Sequence, residues 1–329
     1  MMIRLLVLFF NAVATIGFIS IHSFVSYGRH HYFSPLHTSS GDDGPACDED
    51  TIITLPPDIS CDVRSAAQDL WGSPASLESV LMSSSDHNII DENGSILCHQ
   101  EYQGEMPLPL SIPISQRFSY FEQQAQEGDP LAQHSVGLLL WNGFSSSTEQ
   151  NLDANIDPEA SARWHAAAAV QGNLDALAVF GGCLRTGTGV GKCKNVALGL
   201  RCIEYSASVG NPSGVNKKGA MMESNDDYFG AMKLYRECYE NESKRTNALL
   251  LFNLGYCLIH GEGVDHDVEE GEKIWRDAVA LAPEEGSEEA AWFLYQQYLE
   301  RGDRRARHYL DIAAGLGLED AVMESRGNS

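Results

Sequence analysis

The sequence predicts an all-α fold: a right-handed α-solenoid of about five helix-pair repeats, preceded by a disordered acidic N-terminal region. Two interleaved residue patterns recur at intervals of 33–44 residues from about Ser115 onward. A period of this length with two helical segments per copy is typical of stacked helical repeats. Composition changes twice along the chain, so we expect three regions, residues 1–26, 27–114 and 115–329.

The first region, residues 1–26, has the pattern of a secretory signal peptide. Arg4 precedes an apolar run of 17 residues from Leu5 to Ile21, and small residues follow near Ser23 and Ser26. The run is at the lower length limit for spanning a bilayer, so an uncleaved membrane anchor is the second interpretation. A buried helix and a plastid-type leader remain as further alternatives.

The second region, residues 27–114, is rich in Ser, Asp and Pro. Residues 42–110 hold 14 acidic residues and one base, Arg64, and their apolar residues show no sustained period. Such a segment buries too little apolar surface to offset the entropy lost on ordering. We therefore expect a mostly disordered spacer, with short helices conceivable near residues 65–70 and 76–82. Its three cysteines could form disulfides in an oxidising lumen, although no pairing is predicted.

The third region, residues 115–329, carries both recurring patterns. In the first pattern an aromatic residue is followed by small residues and, eight positions on, by glycine. In the second pattern a small or apolar residue is followed five positions later by glycine. We expect the glycines to let neighbouring helices approach closely and the aromatic rings to fill the grooves between them. The predicted structural ladder comprises the rings of Tyr120, Trp164, Tyr235, Trp275 and Tyr309 and the glycines Gly137, Gly181, Gly219 and Gly255.

Predicted helix starts and ends agree with this pairing. Asp129-Pro130, Asp157-Pro158 and Asn211-Pro212 each place a capping side chain before a proline at the first helical position. Glycines at 128, 172 and 210 lie where the preceding helix must end.

These patterns resemble the Sel-one-like repeat, a relative of the tetratricopeptide repeat with a longer loop. The best-matching stretches are 160–172, 176–190 and 250–264, and the resemblance covers roughly residues 117–322. The copy at 211–244 departs most, and the first copy carries an insertion at 145–156. The resemblance implies a non-enzymatic protein-binding superhelix. With a secretory leader, the chain is also distantly similar to the repeat adaptor of the ubiquitin ligase of endoplasmic-reticulum-associated degradation. Its array is shorter, and no C-terminal anchor is expected.

No residue arrangement predicts a catalytic, cofactor-binding or metal site. Residues 186–193 resemble a phosphate-binding loop, but Thr186 and Cys193 replace the required glycine and hydroxyl residue, and no strand precedes them. Residues 265–267, Asp-His-Asp, are interpreted as a helix cap rather than as metal ligands. Cys183, Cys202 and Cys257 are expected in the core, with a 183–193 disulfide as an alternative.

The charge and the sequons complete the functional expectation. The 329 residues include 46 acidic and 22 basic residues, a formal net charge of −24, which argues against binding nucleic acid because phosphates require a basic surface. Asn93 and Asn241 begin glycosylation sequons. We expect a protein–protein interaction scaffold in the secretory pathway, in the lumen or membrane of the endoplasmic reticulum, without a cofactor. A degradation adaptor is its specific version, with a membrane ubiquitin ligase or misfolded glycoproteins as partners. The alternative is a secreted or plastid-targeted regulator or an enzyme of unknown reaction. Membrane contact is expected only through the N-terminal segment.

Overall fold

The computed structural model describes residues 53–82, 96–99, 103–104, 106, 114–141, 156–241, 244–282 and 286–327. The predicted signal peptide or anchor, residues 1–26, and the sequon residue Asn93 lie outside these residues. Fourteen α-helices and one antiparallel pair of short strands form the described part of the chain. In order, the elements are β1 (Ile53–Leu55), α1 (Pro57–Trp71), α2 (Pro74–Glu78), β2 (Ile96–Cys98), α3 (Ile114–Gln126), α4 (Pro130–Trp141), α5 (Pro158–Val170), α6 (Leu174–Thr186), α7 (Val196–Ser208), α8 (Pro212–Glu223), α9 (Tyr228–Glu240), α10 (Ala248–His260), α11 (Val268–Ala280), α12 (Ser287–Glu300), α13 (Arg305–Gly315) and α14 (Glu319–Gly327).

Helices α3 to α14 pack pairwise in chain order, each against its neighbour in sequence. In addition, α6 contacts α8, α8 contacts α10 and α10 contacts α12, so these four helices form a continuous row that we call the A row. The predicted all-α repeat architecture is therefore confirmed. The right-handed sense of the superhelix stays a prediction.

Capping side chains start the helices at the predicted positions. Asp157 Oδ1 accepts from the Ala160 amide at 2.9 Å, and Asn211 Oδ1 accepts from the Gly214 amide at 3.1 Å. Each such bond satisfies one of the amides left without a partner in the first helical turn. The positions at which the repeats begin are thus set by local chemistry.

Glycines mark the points where helices cross most closely. A Cβ at Gly255 would lie 2.5 Å from the Trp275 ring, and a Cβ at Gly181 would lie 2.8 Å from the carbonyl oxygen of Gly199. Gly219 lies in the same way against the ring of Tyr235. A side chain at any of these positions would push two packed helices apart.

The ladder of rings differs from the expectation in its first two copies. Tyr235 and Trp275 are fully buried and Tyr309 is 9% exposed, but Trp164 is only half-buried and does not face Gly137. The imidazole of His165, one residue later, lies against Gly137 instead. One residue turns a helix by about 100°, because an α-helix has 3.6 residues per turn, which is enough to move Trp164 out of the crossing.

Tyr120 shows the same one-residue offset, since it is half-buried while Phe121 is 2% exposed. The assignments of Tyr120 and Trp164 to the internal ladder are therefore wrong in register.

Residues 53–82 also differ from the expectation of a disordered spacer. They form β1, α1 and α2, and α1 packs on both α5 and α7. Its residues Ile59, Val63 and Ala67 recur every four positions and are buried on one face of the helix. The alanine-rich α5 supplies the apolar surface that this segment lacks by itself. We call residues 53–82 with 96–99 the N-terminal arm.

Hydrogen bonds and an aromatic contact hold the arm against the repeats. Trp71 Nε1 donates to the Arg163 carbonyl oxygen at 3.0 Å, and its ring meets Trp164 edge-on at 5.4 Å between centroids. Tyr205 donates its hydroxyl proton to the Thr54 carbonyl at 2.6 Å. The half-buried position of Trp164 thus has a structural cause.

In the described part of the chain, none of the helices is long and apolar enough to cross a bilayer.

Candidate protein-binding surface

The A row presents a regular line of half-exposed side chains between buried ones. On α6 and α8 two of these four residues are small, Gly182 and Ala220, and the side chain of Lys217 lies 3.9 Å from where a Cβ of Gly182 would be. On α10 and α12 they are larger, Asn253, Tyr256 and Trp292. We call the surface formed by Val179, Gly182, Lys217, Ala220, Asn253, Tyr256 and Trp292 the A-row face.

Aromatic rings support the α10–α12 part of the A-row face. The Phe293 ring lies 5.4 Å from Phe252 and 6.0 Å from Tyr256 between centroids, both edge-on. Phe252 in turn stacks on the buried Trp275 at 6.0 Å. Rings held by such contacts have little rotational freedom to lose, so their side-chain entropy falls little when a partner covers them.

An amide pair joins α8 to α10 on this surface. Asn253 Nδ2 donates to Asn216 Oδ1 at 2.8 Å. An asparagine amide offers two donor hydrogens and two acceptor lone pairs. The pair therefore has the chemistry to hold a main-chain group of a bound segment as well as its neighbour.

Glu223, at the end of α8, is a nearly buried carboxyl group with 8% exposure. The Cys257 thiol donates to its Oε1 at 3.8 Å. Burial raises the pKa of Glu223 to about 7; the charge of Glu262 adds to the rise, while the Tyr235 hydroxyl and the Cys257 thiol oppose it. This carboxyl group therefore changes its protonation state near neutral pH.

A polar cavity of about 420 Å³ lies where α6, α8 and α10 begin. Its walls include His134, Asp175, Asn211, Ser213, Lys244 and Asn247. Asp175 Oδ1 accepts from the Ser213 hydroxyl at 2.5 Å, and Lys244 Nζ lies 3.4 Å from the Val209 carbonyl oxygen. The cavity thus contains charges of both signs that are largely satisfied from within the protein.

Residues 103, 104 and 106 lie next to this cavity, and side chains of α4, of α6 and of the α6 cap bind the main chain of Gly104 and Met106. Asp175 Oδ2 accepts from the Gly104 amide at 2.7 Å, and Asn173 Nδ2 donates to the Gly104 carbonyl at 3.2 Å. Ser135 Oγ accepts from the Met106 amide at 2.9 Å. Polar side chains of α4 and α6 and of the α6 cap therefore grip a peptide through its main-chain atoms.

Two histidines beneath the cavity are structural. His134 and His165 are fully buried, and their Nδ1 atoms lie 3.0 Å apart, so one must donate and the other accept. Burial lowers both pKa values, that of His134 to about 4; the positive charge of Lys217 lowers them further, while Asp175 opposes this at His134. Both rings are neutral at physiological pH.

The remaining predicted residues take structural or exposed positions. Asn241 is exposed at the end of α9, and Asp267 caps α11 by accepting from the Glu270 amide at 2.9 Å. Cys183 and Cys193 are free thiols, as are all cysteines of the described residues. Burial raises the pKa of Cys183 to about 11 and that of Cys202 to about 12, which makes these thiols poor nucleophiles. Within the described part, no cluster of three or more His, Cys, Asp or Glu side chains could hold a metal ion.

The sequence contained a signal for His165 that the pattern of aromatic residues obscured. Tyr235 lies eight residues after the capping Asp227, and Trp275 lies eight residues after the capping Asp267. The same count from the capping residue of α5 selects His165 rather than Trp164. Glu223 had no such signal, because its burial depends on α9 and α10 folding over it.

Paired helices with a continuous A row define this chain as an α-solenoid repeat protein. No family model matches it, and no curated protein matches it in sequence. Its structure is similar to the Sel1 repeat protein from Oxalobacter formigenes, with a TM-score of 0.43 and 19% identity over 64% of this chain and 82% of that chain. It is also similar to a protective antigen of uropathogenic Escherichia coli that displays an SLR fold, with a TM-score of 0.40 and 22% identity over 65% of this chain and 44% of that chain. The chain is thus structurally similar to Sel1 repeat proteins.

Proposed function

We propose that the protein is a non-enzymatic scaffold whose A-row face binds a segment of another protein. The observation that carries this proposal lies beside the A-row face, where Asn173, Asp175 and Ser135 bind main-chain groups of the chain's own residues 104 and 106. Recognition through main-chain atoms does not depend on the sequence of the bound segment, so the same kind of side chain can hold other peptides.

One of the residues that bind the chain's own segment, the capping Asn173, has equivalents along the A row. Asn211 and Asn247 cap α8 and α10 as Asn173 caps α6. Beyond them the Asn216–Asn253 pair and the ring of Tyr256 continue the surface. A segment lying across several A-row helices would meet amides for its main chain and rings for its side chains.

A cross-linking experiment tests the surface. A photoreactive phenylalanine analogue is placed at Tyr256 on the A-row face or, as a control, at Lys233, which is exposed on α9. We expect partner adducts from position 256 and not from position 233. Adducts that form equally at both positions, or only at 233, would contradict a binding role of the A-row face.

We further propose that the protein works in the secretory pathway, in the endoplasmic reticulum, as the leader pattern at Leu5–Ile21 and the exposed Asn241 suggest. Its specific version is an adaptor in endoplasmic-reticulum-associated degradation. N-terminal sequencing of the mature chain and glycosidase treatment test the compartment. Affinity capture from endoplasmic-reticulum membranes tests the specific version, which is lost if no ubiquitin ligase component is recovered.

A further inference from the structure

Glu223 is a buried acid without a cationic partner in the described part of the chain. Glu223 is 8% exposed, and among the described residues its carboxyl group accepts one hydrogen bond, from the Cys257 thiol at 3.8 Å. None of the ion pairs among the described residues includes it. Acidic side chains are seldom so deeply buried unless a cation or several hydrogen bonds compensate the charge.

A second buried group points to the same place. The Tyr235 hydroxyl is fully buried and lies towards Glu223 and Asn253. Among the described residues it has no partner at a distance and angle that make a hydrogen bond. A buried hydroxyl left in this way costs free energy unless a ligand or water satisfies it. Two incompletely satisfied polar groups from α8 and α9 therefore converge at this end of the A-row face.

Among the described residues, the groups that act on the pKa of Glu223 are neutral or acidic, and the imidazole of His260 lies on the far side of the neighbouring Tyr256 ring. Tyr235 approaches from α9 and Cys257 from α10, and Glu262 lies in the loop after α10. Tyr256, from α10, interacts electrostatically with both glutamates and with Tyr228. This environment favours a positively charged ligand, as does the net charge of −24 of the whole chain.

The ring of Tyr256 favours a guanidinium over an ammonium group. The ring is half-exposed and stacks on His260 at 3.9 Å on one side. The protein already uses such an arrangement internally, because Arg305 lies 4.2 Å from the centroid of the Tyr298 ring while its Nη2 pairs with Asp303 at 2.8 Å. A planar guanidinium can stack on a ring and bind carboxylates at its edge, which a lysine ammonium cannot do.

We propose that Glu223, Glu262 and Tyr256 form a subsite of the A-row face that binds an arginine side chain of the partner segment. The subsite rests on the proposed scaffold function, since the arginine is presented by the segment that the face holds. Binding places the guanidinium beside the Glu223 carboxylate and against the Tyr256 ring. Because only the ionised carboxylate pairs with a guanidinium, binding is linked to proton release near neutral pH.

The test uses the full chain and blocked peptides with a single arginine, lysine or citrulline. Affinity is measured by calorimetry, and the ionisation of Glu223 is followed by NMR of labelled glutamate carboxyl groups. With a free pKa of about 7, we expect affinity for the arginine peptide to rise about tenfold between about pH 6 and pH 8. E223Q should remove this pH dependence, and E262Q should weaken binding without removing it. Glu237→Gln, on the exposed surface of α9, is the matched control and should change neither.

Several outcomes would overturn the subsite. They are equal binding of the lysine or citrulline peptide, a pH dependence that survives in E223Q, and a Glu223 ionisation that arginine peptide leaves unchanged. Because E223Q removes a buried charge, it should fold at least as well as the wild type, and the partly exposed E262Q is a second probe if it does not. The scaffold function fails separately, if a photoreactive analogue at Trp292, which is on the A-row face but outside the subsite, gives no partner adducts. Cross-linking that persists equally in E223Q, without pH dependence, removes the subsite alone.

Discussion

Gly181 and Gly182 are neighbours in α6, and the structure predicts opposite effects for the same substitution at the two positions. A Cβ at Gly181 would lie 2.8 Å from the Gly199 carbonyl oxygen and 2.9 Å from Cys202 Cβ, both on α7. A Cβ at Gly182 would meet nothing closer than the Lys217 side chain at 3.9 Å, which is ordinary van der Waals contact. The pair therefore separates helix propensity from packing within one helical turn.

The magnitudes follow from these two terms. Replacing glycine by alanine inside a helix gains up to about 1 kcal/mol at either position. At Gly181 the blocking oxygen belongs to the backbone, so relief requires α6 and α7 to move apart, and overpacking of this kind costs typically 1–3 kcal/mol. We expect Gly182→Ala to stabilise by up to about 1 kcal/mol and Gly181→Ala to be neutral or to destabilise by up to about 2 kcal/mol.

Urea unfolding followed by far-UV circular dichroism measures the difference, with thermal unfolding as a second assay. In a domain of this general size about 1 kcal/mol corresponds to a change in Tm of about 2–4 °C. Gly199→Ala, whose Cβ would lie 2.7 Å from the Arg185 amide nitrogen, should behave like Gly181→Ala. If Gly181→Ala stabilises the protein as much as Gly182→Ala does, the close approach of α6 and α7 does not limit packing and the reasoning is refuted.

Three further changes test the buried polar groups and the arm. The pKa of Glu223 is about 7 in the fold against an ordinary 4.5, so its ionisation lowers the stability of the wild type as pH rises from about 4.5 to 7. In urea unfolding, the free energy of unfolding of E223Q should therefore exceed that of the wild type by up to about 3 kcal/mol above pH 7 and by little near pH 5. Gln171→Ala removes the acceptor of the Met82 amide from a fully buried site, and we expect a loss of about 2 kcal/mol or more with faster hydrogen exchange at residue 82; unchanged exchange would contradict this. Trp71→Ala removes the bond to the Arg163 carbonyl and should make residues 53–82 the first site of limited proteolysis, whereas an unchanged cleavage pattern would show that the arm is held elsewhere.

The repeat architecture could be predicted because it depends on features that are local in sequence. Capping residues such as Asp157 and Asn211 start helices by bonding to amides only three residues away. Closely approaching glycines are also visible as letters in a period. These features fix where the helices lie and which helices are neighbours, and they are visible in the sequence alone.

What the sequence could not predict depends on which face of a helix meets which neighbour. Trp164 and His165 differ by about 100° of helix rotation, and Trp164 faces Trp71, a residue far from it in sequence. The N-terminal arm is ordered by packing on α5, which is distant in sequence, so the sequence of residues 27–114 indicated at most short helices near 65–70 and 76–82 and not their docking. Glu223 is buried by helices that follow it, and its chemistry exists only in the assembled array.

The N-terminal arm binds to helices that are made long after it. Arg201 pairs with Asp62 across 139 residues, and Tyr205 reaches Thr54 across 151 residues. At a translation rate of about 5–20 residues per second, the arm leaves the ribosome roughly 7–30 s before these partners do. During that interval the apolar stripe of α1 lacks first α5 and then α7, so docking of the arm is complete only when both helices have been synthesised.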